Sequence, residues 1–275
     1  MKRSLFFLVF ATMLISSNLQ ANTLRIGTYN IWNPVFEEKY AGQNTWDKRL
    51  PFLIENILSS QCDLICFEEV GKNSYLDLVQ NAEINRDFMS FYIPHAVSKP
   101  GQKEGRDGLA FFYRPEKMAL TKLVQSQDGT RPTHRRDFYV DLKLKEKPAV
   151  QFRVACTHID SDSIALGNAQ LSALVEDVTA CDPEIDFIVL CGDFNEGAEE
   201  SSRPRYEIMH QAGFITDGSV EPTRPEAINT RHKGHVDWIY FKNLSDLNLT
   251  LKALSPIGDE RASDHKLTLT EVEIK

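Results

Sequence analysis

The chain has 275 residues and an acidic composition, with 39 Asp and Glu against 31 Lys and Arg and a formal net charge of -8 at pH 7. Its overall charge therefore argues against loose, charge-driven adhesion to nucleic acid. A bound divalent cation and a few local cations can still attract a phosphate group against an unfavourable overall field, so phosphate-ester substrates are not excluded.

Residues 1–21 have the layout of a secretory signal peptide. Lys2 and Arg3 precede an apolar run from Leu5 to Ile15, and a polar stretch leads to Ala21. This run is shorter than the roughly 20 apolar residues that a spanning helix needs. We predict cleavage near Ala21, export to the periplasm or outside the cell, and no transmembrane segment in the mature chain; an uncleaved anchor is the alternative. Cleavage would take the formal charge from -8 to -10.

Residues 22–275 are predicted to form a single domain, because no linker or repeat interrupts the pattern of short apolar segments. Helical periodicity occurs over Asp47–Ser59, Ala165–Thr179 and Arg205–Ala212. Segments rich in β-branched, aromatic or alternating apolar residues predict strands. These segments are Leu24–Tyr29, Asp63–Phe67, Leu109–Tyr113, Phe138–Leu144, Gln151–Thr157, Phe187–Cys191, Val236–Phe241 and Lys266–Ile274. Helices alternating with such strands indicate sheets covered by helices on their outer faces.

The five cysteines fall into two groups. Cys66, Cys156 and Cys191 lie inside apolar runs, so we expect them to be buried thiols that pack as small hydrophobic side chains. Cys62 and Cys181 lie near the ends of predicted elements and could form a disulfide in an oxidising compartment.

Hydrogen-bonding and charged side chains stand at the ends of the predicted strands. They are Asn30, Glu69, His158, Asp193, Asn195, Asp237, Asp264 and His265. Strand ends can hold polar groups rigidly beside solvent. Together these side chains supply oxygen ligands for a hard cation, a carboxylate and an amide to handle water, and two imidazoles beside carboxylates. The oxygen-rich set favours Mg²⁺, with Mn²⁺ possible, because zinc sites usually recruit several His or Cys ligands.

Six short motifs together resemble those of the endonuclease/exonuclease/phosphatase family. In chain order they are Tyr29-Asn30-Ile31-Trp32, Glu68-Glu69-Val70, Thr157-His158, Gly192-Asp193-Phe194-Asn195, Val236-Asp237-Trp238-Ile239 and Ser263-Asp264-His265. Their order and approximate spacing match from Leu24 to the C-terminus. The resemblance implies an α/β (α+β) four-layer α/β/β/α sandwich, in which two mixed β-sheets pack face to face with helices outside.

The resemblance also implies how a metal would be held. Asn30 and Glu69 correspond to metal-binding positions, and Asp264 would be a further ligand or the partner of one. The chain departs from the family's motif at one position next to Glu69, since it has Glu68 where the family usually has Gln. That added carboxylate could bind the metal directly or point into a loop.

The remaining motif residues are implied to carry the chemistry. Asp193 would orient and deprotonate the attacking water, and Asn195 would fix the water or a phosphate oxygen. Asp237 would polarise His265. His158 would donate a hydrogen bond to a phosphate oxygen as negative charge builds there.

The substrate is less closely specified. Arg135 and Arg136 precede a predicted strand and could reach a substrate phosphate, since a guanidinium can bind two phosphate oxygens at once. Segments Asp107–Lys122 and His232–Asp237 resemble nuclease and deadenylase-like branches of the family. A monomeric phosphodiesterase acting on nucleic acid or nucleotides is therefore the favoured hypothesis. A sphingomyelinase-like enzyme and an inositol-phosphate phosphatase remain alternatives, and a catalytically inactive secreted binding module is an alternative of another class.

Overall fold

The computed structural model describes residues 22–36, 45–96, 107–126, 133–180, 182–197, 203–224 and 234–275. The predicted signal segment, Cys181, and His232 and Lys233 of the nuclease-like segment lie outside these described residues. Within the described ranges, no helix is both long enough and apolar enough to cross a membrane.

The first sheet has six strands. In chain order they are β1 (Asn22–Asn30), β2 (Leu64–Val70), β3 (Met89–Pro94), β4 (Gly108–Tyr113), β10 (Leu249–Ile257) and β11 (Leu267–Ile274). Their order across the sheet is β10-β11-β1-β2-β4-β3. Only β1 and β2 run parallel among these pairs, so the sheet is mixed.

The second sheet has five strands and is also mixed. They are β5 (Met118–Gln125), β6 (Phe138–Leu144), β7 (Gln151–His158), β8 (Phe187–Asp193) and β9 (Asp237–Asn243), which lie side by side in that order. β7 and β8 are parallel, and the other neighbours are antiparallel.

Helices cover the outer faces of both sheets. They are α1 (Trp46–Ser60), α2 (Lys72–Gln80), α3 (Ala82–Asp87), α4 (Ile164–Thr179) and α5 (Pro204–Gln211), and a short 3₁₀ helix spans Pro34–Phe36. One apolar core lies between the sheets. A second lies under α1, α2 and α3, and a third under α4 and α5. The predicted four-layer α/β/β/α sandwich is confirmed.

The eight predicted strands and three predicted helices are all present, with ends that differ by up to three residues. The additional strands β3, β5 and β10 each lie at the edge of a sheet. Edge strands bury less of their surface, and β5 and β10 are largely exposed or half-buried. Their sequences therefore lack the strong apolar pattern on which a strand prediction depends.

The prediction that Cys66 and Cys156 are buried thiols is wrong. Cys66 on β2 and Cys156 on β7 form a disulfide that joins the two sheets, because they face each other across the central core with Cα atoms 5.8 Å apart. Cys191 is a buried free thiol, as predicted, and its Sγ lies 3.0 Å from that of Cys66. Cys62 is also a buried free thiol, so the disulfide suggested for it is not present.

The topology brings the ends of several strands to one edge of the sandwich. Parallel β1 and β2 end there, and so do parallel β7 and β8 of the other sheet. The antiparallel strands β9 and β11 begin at the same edge. Since β1 packs across the core against β8, the polar residues that end these strands meet between the sheets.

Arg49 on α1 ties together the loops at this edge. Its side chain is fully buried, and Nη1 donates to the carbonyls of Ile31 and Ala262 at 2.9 and 2.8 Å. Nη2 donates to the carbonyl of Trp32 at 2.7 Å. The loop after β1 and the loop before β11 are thus held by one guanidinium.

Replacing Arg49 by methionine is expected to lower the free energy of unfolding by about 3 kcal/mol, because buried carbonyls lose charge-assisted donors and no water replaces them. Urea unfolding followed by circular dichroism measures the change. Arg86→Ala is the control, since Arg86 is exposed and pairs only locally with Asp87, and it should cause no resolvable change. Equal stabilities of Arg49→Met and wild type would contradict the role given to Arg49.

Candidate active site

Asp193, the last residue of β8, lies at the centre of the site. Its side chain is 1% exposed, and Oδ1 accepts a hydrogen bond from the backbone N–H of Asn195 at 2.8 Å. Oδ2 accepts from Asn30 Nδ2 at 3.1 Å, and it lies 3.5 Å from His158 Nε2 and 3.7 Å from His265 Nε2. One carboxylate oxygen therefore faces side chains from β1, β7 and the loop before β11.

The predicted metal-binding residues lie beside Asp193. Asn30 Nδ2 donates both to Asp193 and to Glu69 Oε1, the latter at 3.0 Å, while Glu69 Oε2 accepts from the backbone N–H of Asn33 at 3.1 Å. Burial raises the pKa of Glu69, and the negative charge of Asp264 raises it further. Asp264 and Glu69 are therefore close enough to repel each other. The two crowded carboxylates fit a hard divalent cation, whereas Asn30 turns Nδ2 towards the carboxylate of Glu69 and its Oδ1 accepts from the backbone N–H of Trp32 at 3.0 Å.

Backbone geometry separates Glu69 from its neighbour Glu68. Glu69 has φ of 57°, and the pairing of β2 with β4 shifts register between Phe67 and Val70. This bulge turns Glu69 towards the mouth of the site. Glu68 instead is fully buried and accepts from Thr28 Oγ1 at 2.6 Å.

Glu68 therefore does not point into a loop. Burial raises its pKa well above the usual range, and the negative charges of Asp237 and Asp193 add to the effect. The carboxyl group of Glu68 therefore lies in the protein interior, near Asp237 and Asp193.

Asp237 and His265 form a buried pair. Nδ1 of His265 lies 3.0 and 2.9 Å from the two carboxylate oxygens of Asp237. Burial alone would lower the pKa of His265, but the negative charge of Asp237 outweighs it and raises the pKa to about 9. His265 is then an imidazolium at neutral pH. Thr223 Oγ1 accepts from the backbone N–H of Asp237 at 3.3 Å and helps to hold this carboxylate.

His158 has the opposite electrostatic environment. It ends β7, its side chain is buried, and Nδ1 has no hydrogen-bond partner among the residues that the structure describes. Burial lowers the pKa of His158 well below the usual range, and the positive charges of Arg135, His265 and Arg224 lower it further. The two histidines that face Asp193 therefore differ in charge, one neutral and one protonated.

The loop after β8 fixes Asn195. Its Nδ2 donates to the carbonyl of Ile159 at 2.9 Å, and its backbone has φ of 50°. Gly192 allows β8 to approach β7 closely, since a Cβ there would overlap the carbonyl oxygen of Thr157. The Gly192-to-Asn195 motif therefore depends on close strand packing as well as on its functional groups.

Asp193, Asp237 and His265 also form a group whose ligand atoms all lie within 4.8 Å of one another and which could hold a metal ion. The described site thus offers two adjoining sets of ligands, this one and the set of Asn30, Glu69 and Asp264. It stays a prediction that Asn30, Glu69 and Asp264 hold the metal and that the other set carries the catalysis.

The two predicted substrate-binding arginines differ in their contacts. Arg136 Nη1 donates to the carbonyl of Pro94 at 2.9 Å. In Arg135, Nε and Nη1 are buried and have no partner within the described part of the chain. Arg135 is therefore the better placed of the two to receive an anion.

Two further nitrogen-bearing side chains near the site, those of Arg224 and His95, were not predicted from the sequence. Arg224 acts electrostatically on both His158 and His265, but it follows no strand and carries no motif. His95 follows the apolar end of β3, and is therefore marked by the same strand-end pattern as the other site residues. It escaped prediction because β3 itself was not recognised.

Two packed mixed sheets thus carry a carboxylate-centred site with amide and imidazole donors at one edge. The chain belongs to the Endonuclease/Exonuclease/phosphatase family, whose sequence profile matches residues 27–265. Members of this family hydrolyse phosphoester bonds.

Individual relatives have low sequence identity to this chain. Nocturnin of Drosophila melanogaster is 26% identical over an alignment of 184 residues, and the match covers 64% of this chain and 28% of that protein. Deoxyribonuclease-1 of Mus musculus is 29% identical over an alignment of 203 residues, and the match covers 69% of this chain and 66% of that protein. The chain thus spans less than two thirds of the length of either relative. The crystal structure of ANGEL2, a 2′,3′-cyclic phosphatase, has a TM-score of 0.71 at 17% identity and covers 92% of this chain and 96% of that chain, which shows the shared fold.

Proposed function

We propose that this chain is an exported, Mg²⁺-dependent phosphodiesterase that hydrolyses nucleic acid or nucleotides by in-line attack of water. The observation that carries the proposal is the arrangement around Asp193. Its Oδ2 lies within 3.7 Å of donors from Asn30, His158 and His265. Such an arrangement can hold a water molecule and a phosphate group side by side.

Asn30, Glu69 and Asp264 would hold the metal. Mg²⁺ bound there would neutralise phosphate charge and polarise a phosphoryl oxygen. The carboxylates of Glu69 and Asp264 suit Mg²⁺ because this ion prefers oxygen ligands, and Asn30 would contribute its amide oxygen, which accepts from the Trp32 N–H. The mutual repulsion of Glu69 and Asp264, visible in the raised pKa of Glu69, is also what a bound cation would relieve.

Asp193 would accept the proton of the attacking water. Its Oδ1 is held by the backbone N–H of Asn195, so the second oxygen stays directed into the site. The His265 imidazolium, kept charged by Asp237, faces that oxygen and would stabilise the negative charge that develops on phosphate oxygens. His158 would add a neutral hydrogen-bond donor, and the Asn195 side chain would fix the water or a phosphate oxygen.

The choice of substrate and of compartment has separate support. Deoxyribonuclease-1 is by its name a nuclease, and its similarity covers 69% of this chain. The Cys66–Cys156 disulfide suits an oxidising compartment, as do the predicted signal peptide and export. We expect the exported enzyme to be a monomer in the periplasm or outside the cell.

A substrate panel tests the proposal. Residues 22–275 are incubated with single-stranded DNA, RNA, sphingomyelin or inositol phosphates, with Mg²⁺ or with excess EDTA. We expect Mg²⁺-dependent cleavage of DNA or RNA, and loss of at least about 99% of that activity in EDTA because the phosphate charge is then not neutralised. Cleavage of only sphingomyelin or inositol phosphate would reject the nuclease assignment. Cleavage of nothing would favour an inactive binding module.

A further inference from the structure

The segment between residues 133 and 137 connects the two sheets next to His158. Towards the first sheet, the carbonyl of His134 accepts from the backbone N–H of Ala96 at 2.9 Å. Towards the second sheet, Asp137 Oδ1 accepts from Thr157 Oγ1 at 2.5 Å and from Gln170 Nε2 at 3.1 Å. Gln170 also donates to the carbonyl of His158 at 3.2 Å. The segment is thus fixed at both ends.

This connection sets the orientation of His95, whose side chain is only 2% exposed. Its Nδ1 accepts a hydrogen bond from the backbone N–H of Arg136 at 3.0 Å. Burial, together with the positive charges of Arg135, His134 and Arg136, lowers the pKa of His95 well below the usual range. The ring is therefore neutral, and because Nδ1 is the acceptor, Nε2 carries the hydrogen.

The donor on His95 Nε2 has no acceptor among the described residues, and the same holds for Nε and Nη1 of Arg135. All three atoms are buried. Buried donors are normally satisfied, so a group of them without acceptors calls for an explanation. An anion is the ligand that would satisfy them together, because a phosphate offers several acceptor oxygens to guanidinium and imidazole donors.

Hydrogen bonds place this group next to His158. The backbone N–H of Arg136, the residue after Arg135, is bonded to His95 Nδ1. Gln170 Nε2 joins the next residue, Asp137, to the carbonyl of His158, at 3.1 and 3.2 Å. On its other side His158 Nε2 lies 3.5 Å from Asp193 Oδ2. His158 therefore adjoins both the His95 and Arg135 group and the Asp193 site, and the charge of Arg135 also lowers the pKa of His158.

We propose that His95 and Arg135 form a second anion site, which binds a non-scissile phosphate group of the substrate next to the one that is cleaved. The inference rests on the proposed function. A phosphodiester carries a single negative charge. The groups that would already bind and neutralise it are His158, His265, Asn195 and a bound cation. The donors of His95 and Arg135 are additional to these. The preferred substrates are therefore nucleotides or oligonucleotides with a phosphate flanking the scissile bond.

Dinucleotides test the site directly. One substrate has only the phosphate that joins its two nucleosides, and two others carry an additional terminal phosphate, either 5′ or 3′. We expect wild type to have a kcat/KM at least about tenfold higher for one of the two phosphorylated dinucleotides, mainly through a lower KM, because the added group is bound equally in the ground and transition states.

Two substitutions of His95 separate binding from structure. His95→Asn keeps an acceptor near the position of Nδ1 for the Arg136 N–H but loses the Nε2 donor, whereas His95→Gln keeps a donor near Nε2 but loses the acceptor. His95→Asn should reduce the preference to less than about threefold, and His95→Gln should retain part of it. The control is His134→Ala, which removes an exposed imidazole beside His95 and should keep the full preference.

A calorimetric titration of the metal-free protein with inorganic phosphate provides a readout that needs no turnover. Binding to wild type should be at least about tenfold tighter than to His95→Asn. Equal kcat/KM on all three dinucleotides, or a preference that survives in His95→Asn, would overturn the second anion site and leave the phosphodiesterase intact. A preference retained in His95→Asn but lost in His95→Gln would show that the ring only supports Arg136. If no dinucleotide is cleaved while phosphate binding still depends on His95, the proposed function fails and the anion site stands.

Discussion

Replacing Asp193 by asparagine is expected to lower kcat about a thousandfold, the middle of the range for loss of a positioned general base. Asparagine has nearly the same shape, so Oδ1 can still accept from the Asn195 N–H. It cannot accept the proton of the attacking water. It also removes the negative charge that faces His158 and His265 at 3.5 and 3.7 Å.

The measurement is steady-state hydrolysis of whichever nucleic acid the panel identifies, with thermal unfolding to confirm that the variant is folded. Asp246→Asn is the matched control, because Asp246 is exposed and lies beyond Asn243, at the end of β9 opposite to Asp237 and the site, and the charge change is the same. An Asp193→Asn enzyme with activity within about threefold of wild type would exclude Asp193 as the base.

Replacing Asp237 by asparagine should have the second largest effect, a loss of at least about a hundredfold in kcat. His265 owes its charge at neutral pH to this buried carboxylate, whose oxygens lie 2.9 and 3.0 Å from Nδ1. Without the carboxylate, burial would leave His265 neutral. The developing charge on the phosphate would then lose a cationic partner.

The same pair makes stability depend on pH. The pKa of His265 is raised to about 9 in the folded protein, against about 6.5 in an unfolded chain. The pair therefore contributes fully below pH 6.5, and its contribution is lost as the pH rises through about 9. For metal-free wild type we expect the free energy of unfolding to fall by about 3 kcal/mol between pH 6 and pH 10 on account of this pair.

Urea unfolding in EDTA at several pH values tests this, because the metal's own charge is then absent. Other groups also titrate at alkaline pH, so the informative quantity is the difference in slope between wild type and Asp237→Asn. The slope should be shallower in the variant, and Asp246→Asn should follow wild type. Parallel curves for wild type and Asp237→Asn would show that His265 is not held charged by Asp237.

Local patterns were sufficient where a strand lies in the middle of a sheet. β8 is buried along its whole length, so Phe187–Cys191 reads as a continuous apolar run followed by Asp193 and Asn195. The edge strands β3, β5 and β10 gave no such signal, whereas the edge strand β9 is buried and was predicted. His95 went unpredicted because it follows β3. The disulfide was also missed, since Cys66 and Cys156 lie 90 residues apart and meet only when the two sheets pack.

The sequence by itself determined the class of fold, the family and the set of polar residues at the strand ends, because periodicity and short motifs are properties of neighbouring residues. Tertiary structure alone decided which of those groups touch. Only the packing of β1 against β8 places Asn30 between Glu69 and Asp193. Only the bulge in β2 separates the buried Glu68 from the site-facing Glu69. Both histidines are buried, and only the carboxylate of Asp237 beside His265 keeps that imidazole charged while His158, near Arg135, is neutral, because the pKa of an imidazole is set by groups distant in the chain but close in space.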